Sequence, residues 1–245
     1  MPSTQSTLNQ QWSQHPSSYH ELKVFGKTCH ENRYSQQWST QDNFAYNYSG
    51  SSAISKSYFQ PEGLMVNNLI RTCNDLIGKN VYNGCLQNWY EQEHTIGLHS
   101  DDEKQMNSEY PIFSLSQGGT RRFLFRPKNE CVKSDLTFEK MVEIYLEDGD
   151  FLVMGGKCQE VTKHEIPKWR KTMDPGTGKR VNWTVRAFHG ITKNATGGSG
   201  GVKTNDERSG DDAIGVLACD GNKNRSNKDN APKRKRQIII REEFI

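Results

Sequence analysis

The sequence has no long apolar run, no cysteine pair and no strong excess of charge. None of its 245 residues falls in a stretch approaching the roughly 20 consecutive apolar side chains of a membrane-spanning helix. A mean hydropathy of −0.88, with 33% hydrophobic and 25% charged residues, is that expected of a soluble chain with sizeable polar stretches. The opening MPSTQSTLNQQWSQHPSS lacks the apolar core of a secretory signal. Cys29, Cys73, Cys85, Cys131, Cys158 and Cys219 are scattered without a CxxC pair, which argues against a cysteine zinc cluster and fits free thiols in a reducing compartment. No helical HExxH is present, so the usual zinc-hydrolase arrangement of two histidines and a general base is missing. A net charge of +3 names no partner; only its distribution can. There is no internal repeat.

What is present divides into three zones. Residues 1–20 are rich in Ser and Gln and are expected to be disordered. Residues 21–190 hold nearly all the aliphatic and aromatic side chains and read as one folded domain. Residues 191–245 read as a flexible linker and a basic tail, with the composition turning to Gly, Ser and charge from Asn194. In PEGLMVNNLIRTCNDLIG (61–78), apolar residues at 65, 66, 69, 70, 73, 76 and 77 predict a helix closed by Gly78. Beyond it come short strands and turns. PIFSLS turns at Gly118–Gly119 and returns as RRFLFR, Asp148–Gly149 separates two apolar runs as a hairpin signal, and RVNWTVRAF alternates. The expected fold is mainly β with flanking helices, built on a double-stranded β-helix, or jelly-roll, core.

The stretch IGLHSDDE (96–103) sets His99 and Asp101 two apart, so in a strand both side chains aim at one point. An imidazole and a carboxylate so placed can begin a metal site, although such a pair also arises by chance. His164, just past the apolar run DFLVM, supplies a third ligand. Two histidines and one carboxylate form the facial triad of non-haem Fe(II) oxygenases. An oxygenase using a dicarboxylate co-substrate needs a permanently charged, bidentate partner for the distal carboxylate. Arg180 and Arg186 share a strand face with Asn182 and Thr184, opposite Val181, Trp183 and Val185. That face is either a polar interior strip or the wet side of an amphipathic strand.

With these residues in hand, the sequence resembles the AlkB family of Fe(II)/2-oxoglutarate dioxygenases, which repair alkylated nucleic acids. The HxD…H…RxNxTxR pattern is met in full by His99, Asp101, His164, Arg180, Asn182, Thr184 and Arg186, and the preceding NxY pair by Asn88 and Tyr90. VFGK (24–27) and YNYSG (46–50) resemble elements of the double-stranded-DNA repair branch. The resemblance implies that His99, Asp101 and His164 hold Fe(II) and that O2 is consumed. It implies that Arg180, Asn88 and Tyr90 bind the distal end of 2-oxoglutarate, with Asn182 and Arg186 at its metal end. Arg186 is also expected to pair with Glu103. The implied reaction is oxidative demethylation of N-alkylated bases of the 1-methyladenine and 3-methylcytosine type in DNA, giving formaldehyde, succinate and CO2. RNA demethylation, or a non-catalytic binding module on the same fold, is the alternative.

Such a base must be flipped out of its stack. Tyr48, or else Tyr46, is expected to wall the pocket, and Phe25 in the Val24–Phe25–Gly26 wedge to fill the gap left behind. Arg33, Arg121, Arg122, Arg126 and Lys128 are candidate phosphate contacts; Arg121 and Arg122, adjacent on a strand, face opposite ways, so one is expected to be structural. The segment EIPKWRKTMDPGTGK (165–179) reads as a basic loop, either a nucleic-acid contact or a hairpin tip. APKRKRQ (231–237) reads as a nuclear localisation signal or a nucleic-acid tether. The expected partner is therefore nucleic acid, with no membrane, and the protein is expected to act as a monomer in the nucleus or the cytoplasm.

Overall fold

A computed structural model describes residues 5–24, 26–48, 51–128, 141–170, 178–189 and 237–240. The elements run α1 (Gln5–Trp12), β1 (Glu21–Val24), β2 (Lys27–His30), β3 (Tyr34–Ser39), β4 (Ala45–Tyr48), β5 (Ser51–Ile54), β6 (Lys56–Ser57) and α2 (Leu64–Ile77). They continue with β7 (Gly84–Tyr90), β8 (Ile96–His99), β9 (Ile112–Gly118), β10 (Arg121–Pro127), β11 (Val142–Leu146), β12 (Phe151–Met154), α3 (Cys158–Val161), β13 (Thr162–Ile166), β14 (Arg180–Arg186) and β15 (Gln237–Ile240). Residues 190–236 lie outside the described residues.

Two sheets carry the jelly roll. The larger has the order β15-β12-β9-β14-β7-β3-β6, the smaller β11-β10-β13-β8. Period-2 alternation gives each strand of the large sheet two distinct faces. One face sends Trp38, Cys85, Trp89, Phe113, Val181, Trp183 and Val185 into a core shared with α1 and α2. The helix predicted over 61–78 is α2, which buries Val66, Leu69, Ile70 and Cys73 and ends at Gly78 in the left-handed region (φ 64). The other face meets the small sheet. Tyr90, Ile112, Leu152 and Met154 there pack against Phe123, Phe125, Leu146 and Ile166 in a second core cluster.

The turns were legible but their pairing was not. The Asp148–Gly149 turn does not close a hairpin: β11 pairs with β10, and β12 pairs with β9. Likewise Gly118–Gly119 leads from β9 in one sheet to β10 in the other. Leu146 and Leu152, both 0% exposed, explain why. Strands flanking such a turn bury more apolar surface by facing each other across the core than by lying side by side.

Over residues 5–20 the structure corrects the expectation of disorder, which covered residues 1–20. Leu8 and Trp12, four apart on one face of α1, are both buried in the helical-side core, and the Trp89 indole donates to the Gln11 carbonyl at 2.8 Å. A side chain at Gly118 would collide with the Lys179 carbonyl and with Leu8, and its φ of 91 suits glycine alone. Composition missed α1 because only two apolar residues dock it. The C-terminal segment is likewise not linker throughout. Gln237–Ile240 adds in parallel to β12, as three consecutive isoleucines favour. The remainder of the linker and the basic run 231–236 lie outside the described residues. Among the described residues, no helix is long and apolar enough to cross a membrane.

Because Trp12 fills a core position, Trp12→Ala should lower unfolding free energy by about 3 kcal/mol, measured by urea denaturation. A change under about 0.5 kcal/mol, within the range of ordinary surface substitutions, would show that α1 is not docked.

Candidate active site

β8 and β13 are antiparallel neighbours in the small sheet, and their register sets His99 directly opposite His164. The rings lie 4.3 Å apart between centroids. Asp101 follows β8 by two residues, and ligand atoms of His99, Asp101 and His164 all fall within 4.8 Å of one another. The Nδ1 of His99 meets the Gly97 carbonyl at 2.7 Å, so that nitrogen donates and Nε2 keeps its lone pair, 3.7 Å from Asp101 Oδ1. His164 is buried, and its Nδ1 has no hydrogen-bond partner among the described residues. Burial pushes its imidazole down to about 3. Burial alone would raise the Asp101 carboxyl, but the Arg186 guanidinium and the two imidazoles outweigh it and hold the group well below the usual carboxylate range. Asp101 and His164 are thus in the protonation state a divalent metal requires. Two imidazoles and an ionised carboxylate converging within 4.8 Å fit Fe(II) in a two-histidine, one-carboxylate site.

The polar face of β14 is interior, not wet. All seven residues from Arg180 to Arg186 are buried, with β7 on one side and β9 on the other. This face, the end of β8 and β13 enclose a cavity of about 520 Å³, lined among others by Asn88, Tyr90, Asp101, His164, Asn182 and Arg186. Arg186 donates from Nη2 to Asp101 Oδ2 at 2.9 Å. Its expected pairing with Glu103 is corrected to a longer-range attraction: Asp101 makes the ion pair, and Glu103 acts on the same guanidinium only electrostatically. Glu103 lines the same cavity, and burial raises its carboxyl. Arg180 lies 5.1 Å from the Tyr90 ring centroid and donates to Ser116 Oγ at 2.9 Å, yet its buried Nε and Nη1 have no partner among the described residues. A buried cation with unmet donors is a recognition element for a carboxylate. Its guanidinium packs over the ring of Tyr90, which lines the cavity. Asn182 donates to Ser114 Oγ and the Leu115 carbonyl, both at 2.8 Å, and accepts from Thr184 at 3.1 Å.

Several substrate-side expectations are corrected. Arg33 cannot be a phosphate contact on an outer surface. It is buried in the cavity wall, donating from Nη2 to Glu31 at 2.8 Å and from Nε to Asn88 Oδ1 at 2.9 Å. Arg122 is buried and ion-paired with Glu143 at 3.6 Å, and Arg121 is buried and donates to the carbonyls of Glu91 and Gln92. Both members of that pair are structural, because cations this deep need fixed partners rather than mobile phosphates. Tyr46 is 2% exposed, packs on Phe188 and lies outside the cavity lining, so it offers no open ring to a base. Arg126 is exposed but paired with Glu165 at 2.8 Å, and Lys128 pairs with Asp102 at 3.2 Å. Phe25, the side chains of Val24 and Tyr48, and residues 171–177 of the basic loop lie outside the described residues.

Four participants escaped the sequence reading. Ser114 and Ser116 hold Asn182 and Arg180, and the Ser-x-Ser alternation in PIFSLS was the signal for them. Gln159 accepts from the Asp101 backbone N–H, and Glu31 neutralises Arg33; neither has a local signature.

A family model described as the 2OG-Fe(II) oxygenase superfamily matches residues 1–186. The chain is 36% identical over 110 residues to alpha-ketoglutarate-dependent dioxygenase alkB homolog 3 of Mus musculus, covering 44% of this chain and 37% of that protein. It is 30% identical over 177 residues to DNA oxidative demethylase ALKBH2 of Bos taurus, covering 71% of this chain and 60% of that protein. The chain thus spans less than two thirds of the length of these relatives. A solved structure of OsALKBH1 matches with a TM-score of 0.41 at 19% identity, over 74% of this chain and 88% of that one.

The His164 environment has a measurable consequence in the metal-free protein. Its folded pKa of about 3 lies below the ordinary 6.5, so between those values the unfolded chain binds a proton that the native state does not. Stability is therefore lost as pH falls from 6.5 toward 3, by about 3 kcal/mol at pH 4. The lowered Asp101 acts in the same direction below its ordinary 3.8. Urea denaturation should show His164→Asn losing less stability than wild type between pH 7 and 4.5. Parallel curves would mean that His164 is not buried in its neutral form.

Proposed function

The chain belongs to the 2OG-Fe(II) oxygenase superfamily, and within it to the AlkB family near the alkB homolog 2 and 3 branch; from that premise we propose that it oxidatively demethylates N-alkylated bases in DNA. The observation that carries the reading is the buried convergence of His99, Asp101 and His164 beside a polar strand face bearing Arg180 and Arg186. A binding module would have no use for a neutral buried imidazole, an ionised carboxylate and a buried guanidinium with unmet donors. When bound, Fe(II) with 2-oxoglutarate and O2 supplies the oxidation of an N-methyl group, yielding succinate, CO2, formaldehyde and the unmodified base.

The chain's own residues have definite tasks in this scheme. His99, Asp101 and His164 hold the metal, and Arg186 keeps the Asp101 carboxylate ionised and oriented by gripping Oδ2. Arg180, with its guanidinium packed over the Tyr90 ring, offers positive charge and unmet donors to the distal carboxylate of 2-oxoglutarate. Asn88 presents its amide, while the walls formed by Leu86, Phe123 and Met154 exclude water. At the cavity edge, Leu98 is 44% exposed and Lys163 is exposed, an apolar and a cationic group suited to a base and its phosphate.

The direct test is mass spectrometry of oligonucleotides carrying 1-methyladenine or 3-methylcytosine, as single- and double-stranded DNA and RNA, incubated with Fe(II) and 2-oxoglutarate. Loss of 14 mass units per base, about one CH2, with stoichiometric succinate is expected on DNA. His99→Ala, Asp101→Ala and His164→Ala should each abolish succinate formation; near-wild-type turnover in any one would overturn the triad. Arg180→Lys should raise the KM for 2-oxoglutarate, since an ammonium cannot reproduce the guanidinium fork. Arg180→Ala should cost about 3 kcal/mol of co-substrate binding, roughly a hundredfold. An unchanged KM in both variants would remove Arg180 from the co-substrate site.

A further inference from the structure

The loop between the two N-terminal metal ligands is fastened to the element that delivers the third. Asp101 donates its backbone N–H to Gln159 Oε1 at 2.9 Å, and Ser100 donates from Oγ to the Thr162 carbonyl at 2.8 Å. Lys128 closes the same knot, donating from Nζ to Asp102 Oδ2 at 3.2 Å and to the Gln159 carbonyl at 2.9 Å. Gln159 belongs to the one-turn helix α3, which runs directly into β13 and so to His164 two residues past Thr162. Its Nε2 faces Met154 Sδ at 3.6 Å, which fixes the amide with Oε1 toward Asp101. The helix itself is steadied where Thr162 donates to the Cys158 carbonyl at 2.6 Å.

From this arrangement we infer that Gln159 is a positioning residue for the metal site. By holding the Asp101 amide it fixes the carboxylate's approach and locks the spacing between the β8 ligand loop and the strand carrying His164. Asp101 has Arg186 on its side chain and Gln159 on its backbone, so the two contacts together define both its direction and its depth. Removing the backbone contact leaves the ligand chemistry intact but the loop free to drift, and ligand geometry tolerates little drift. The inference rests on the triad being a metal site, and its test separates the two.

Gln159→Met keeps the side chain's length and removes the acceptor, whereas Gln159→Glu restores an acceptor oxygen. In the metal-free protein, hydrogen exchange at the Asp101 amide, followed by NMR, should quicken at least tenfold in Gln159→Met and return toward wild type in Gln159→Glu. Titration with Mn(II) by calorimetry should show at least tenfold weaker binding for Gln159→Met, with Gln159→Glu recovering most of it. The melting temperature of metal-free Gln159→Met should stay within about 3 °C of wild type, a shift corresponding to less than about 1 kcal/mol. Unchanged exchange at Asp101, or Mn(II) affinity within twofold of wild type, overturns the positioning role and leaves the triad standing. A large fall in melting temperature without rescue by Gln159→Glu also overturns it, in favour of simple packing. Wild type that fails to bind Mn(II) overturns the metal reading itself, whatever the exchange rates show.

Discussion

The ion pair between Arg186 and Asp101 is the contact on which the site depends. It joins residues 85 apart in sequence, at 2.9 Å, with both side chains almost fully buried. One partner sits at the end of β14 in the large sheet and the other on the loop after β8, beside the small one. The pair therefore bridges the two layers at the point where the cavity forms. Removing one partner of a buried pair typically costs about 3–5 kcal/mol, because the other charge is left stranded. Here the stranded charge would be either a metal ligand or a fully buried cation. The same contact that bridges the sheets also keeps a carboxylate ionised where burial would protonate it.

Everything else about the site follows from one sheet having two incompatible faces. β14 turns Val181, Trp183 and Val185 toward the helices and Arg180, Asn182, Thr184 and Arg186 toward the cavity. The apolar face anchors the strand against α1 and α2, so the polar face can be buried without collapsing. Neighbouring strands complete it by register: Ser116 lies beside Asn182, and Tyr90 beside Arg180. Polar groups brought inside this way find partners in one another, and the donors left over on Arg180, and the open nitrogen of His164, are those a ligand would fill. The site's polarity is thus a property of strand alternation, and its unmet capacity a property of where the strands end.

Much of this was legible in the residues. Helix α2 and its glycine stop could be read from spacing, as could the strand alternation, the His99–Asp101 pair and the arginine strip, because each depends on neighbours within seven positions along the chain; His164, far along the chain from that pair, was joined to it by the ligand set such a metal needs and not by local spacing. Arg33 and Arg122 were misplaced because an arginine looks the same in sequence whether it meets a phosphate or a glutamate of its own chain. Glu143 lies 21 positions from its partner, and nothing local joins them. The N-terminal helix was missed for a similar reason. Its two apolar residues count for little by composition but for much once Gly118 leaves room for Leu8.

What the sequence by itself determined is the chemistry and the local geometry: which residues can bind a metal, which alternate to one face, where helix and turn begin and end. Those depend on side-chain type and on backbone periodicity, and both are present in any short window. Tertiary structure alone decided that strands on either side of Asp148–Gly149 part to different sheets, that Arg186 takes Asp101 rather than Glu103, and that Gln159 holds the ligand loop. Those outcomes turn on which buried surfaces and charges compete for the same space. Such competition is settled only when distant parts of the chain meet, since burial and electrostatic strength are set by the whole surroundings of a group and not by its neighbours in sequence.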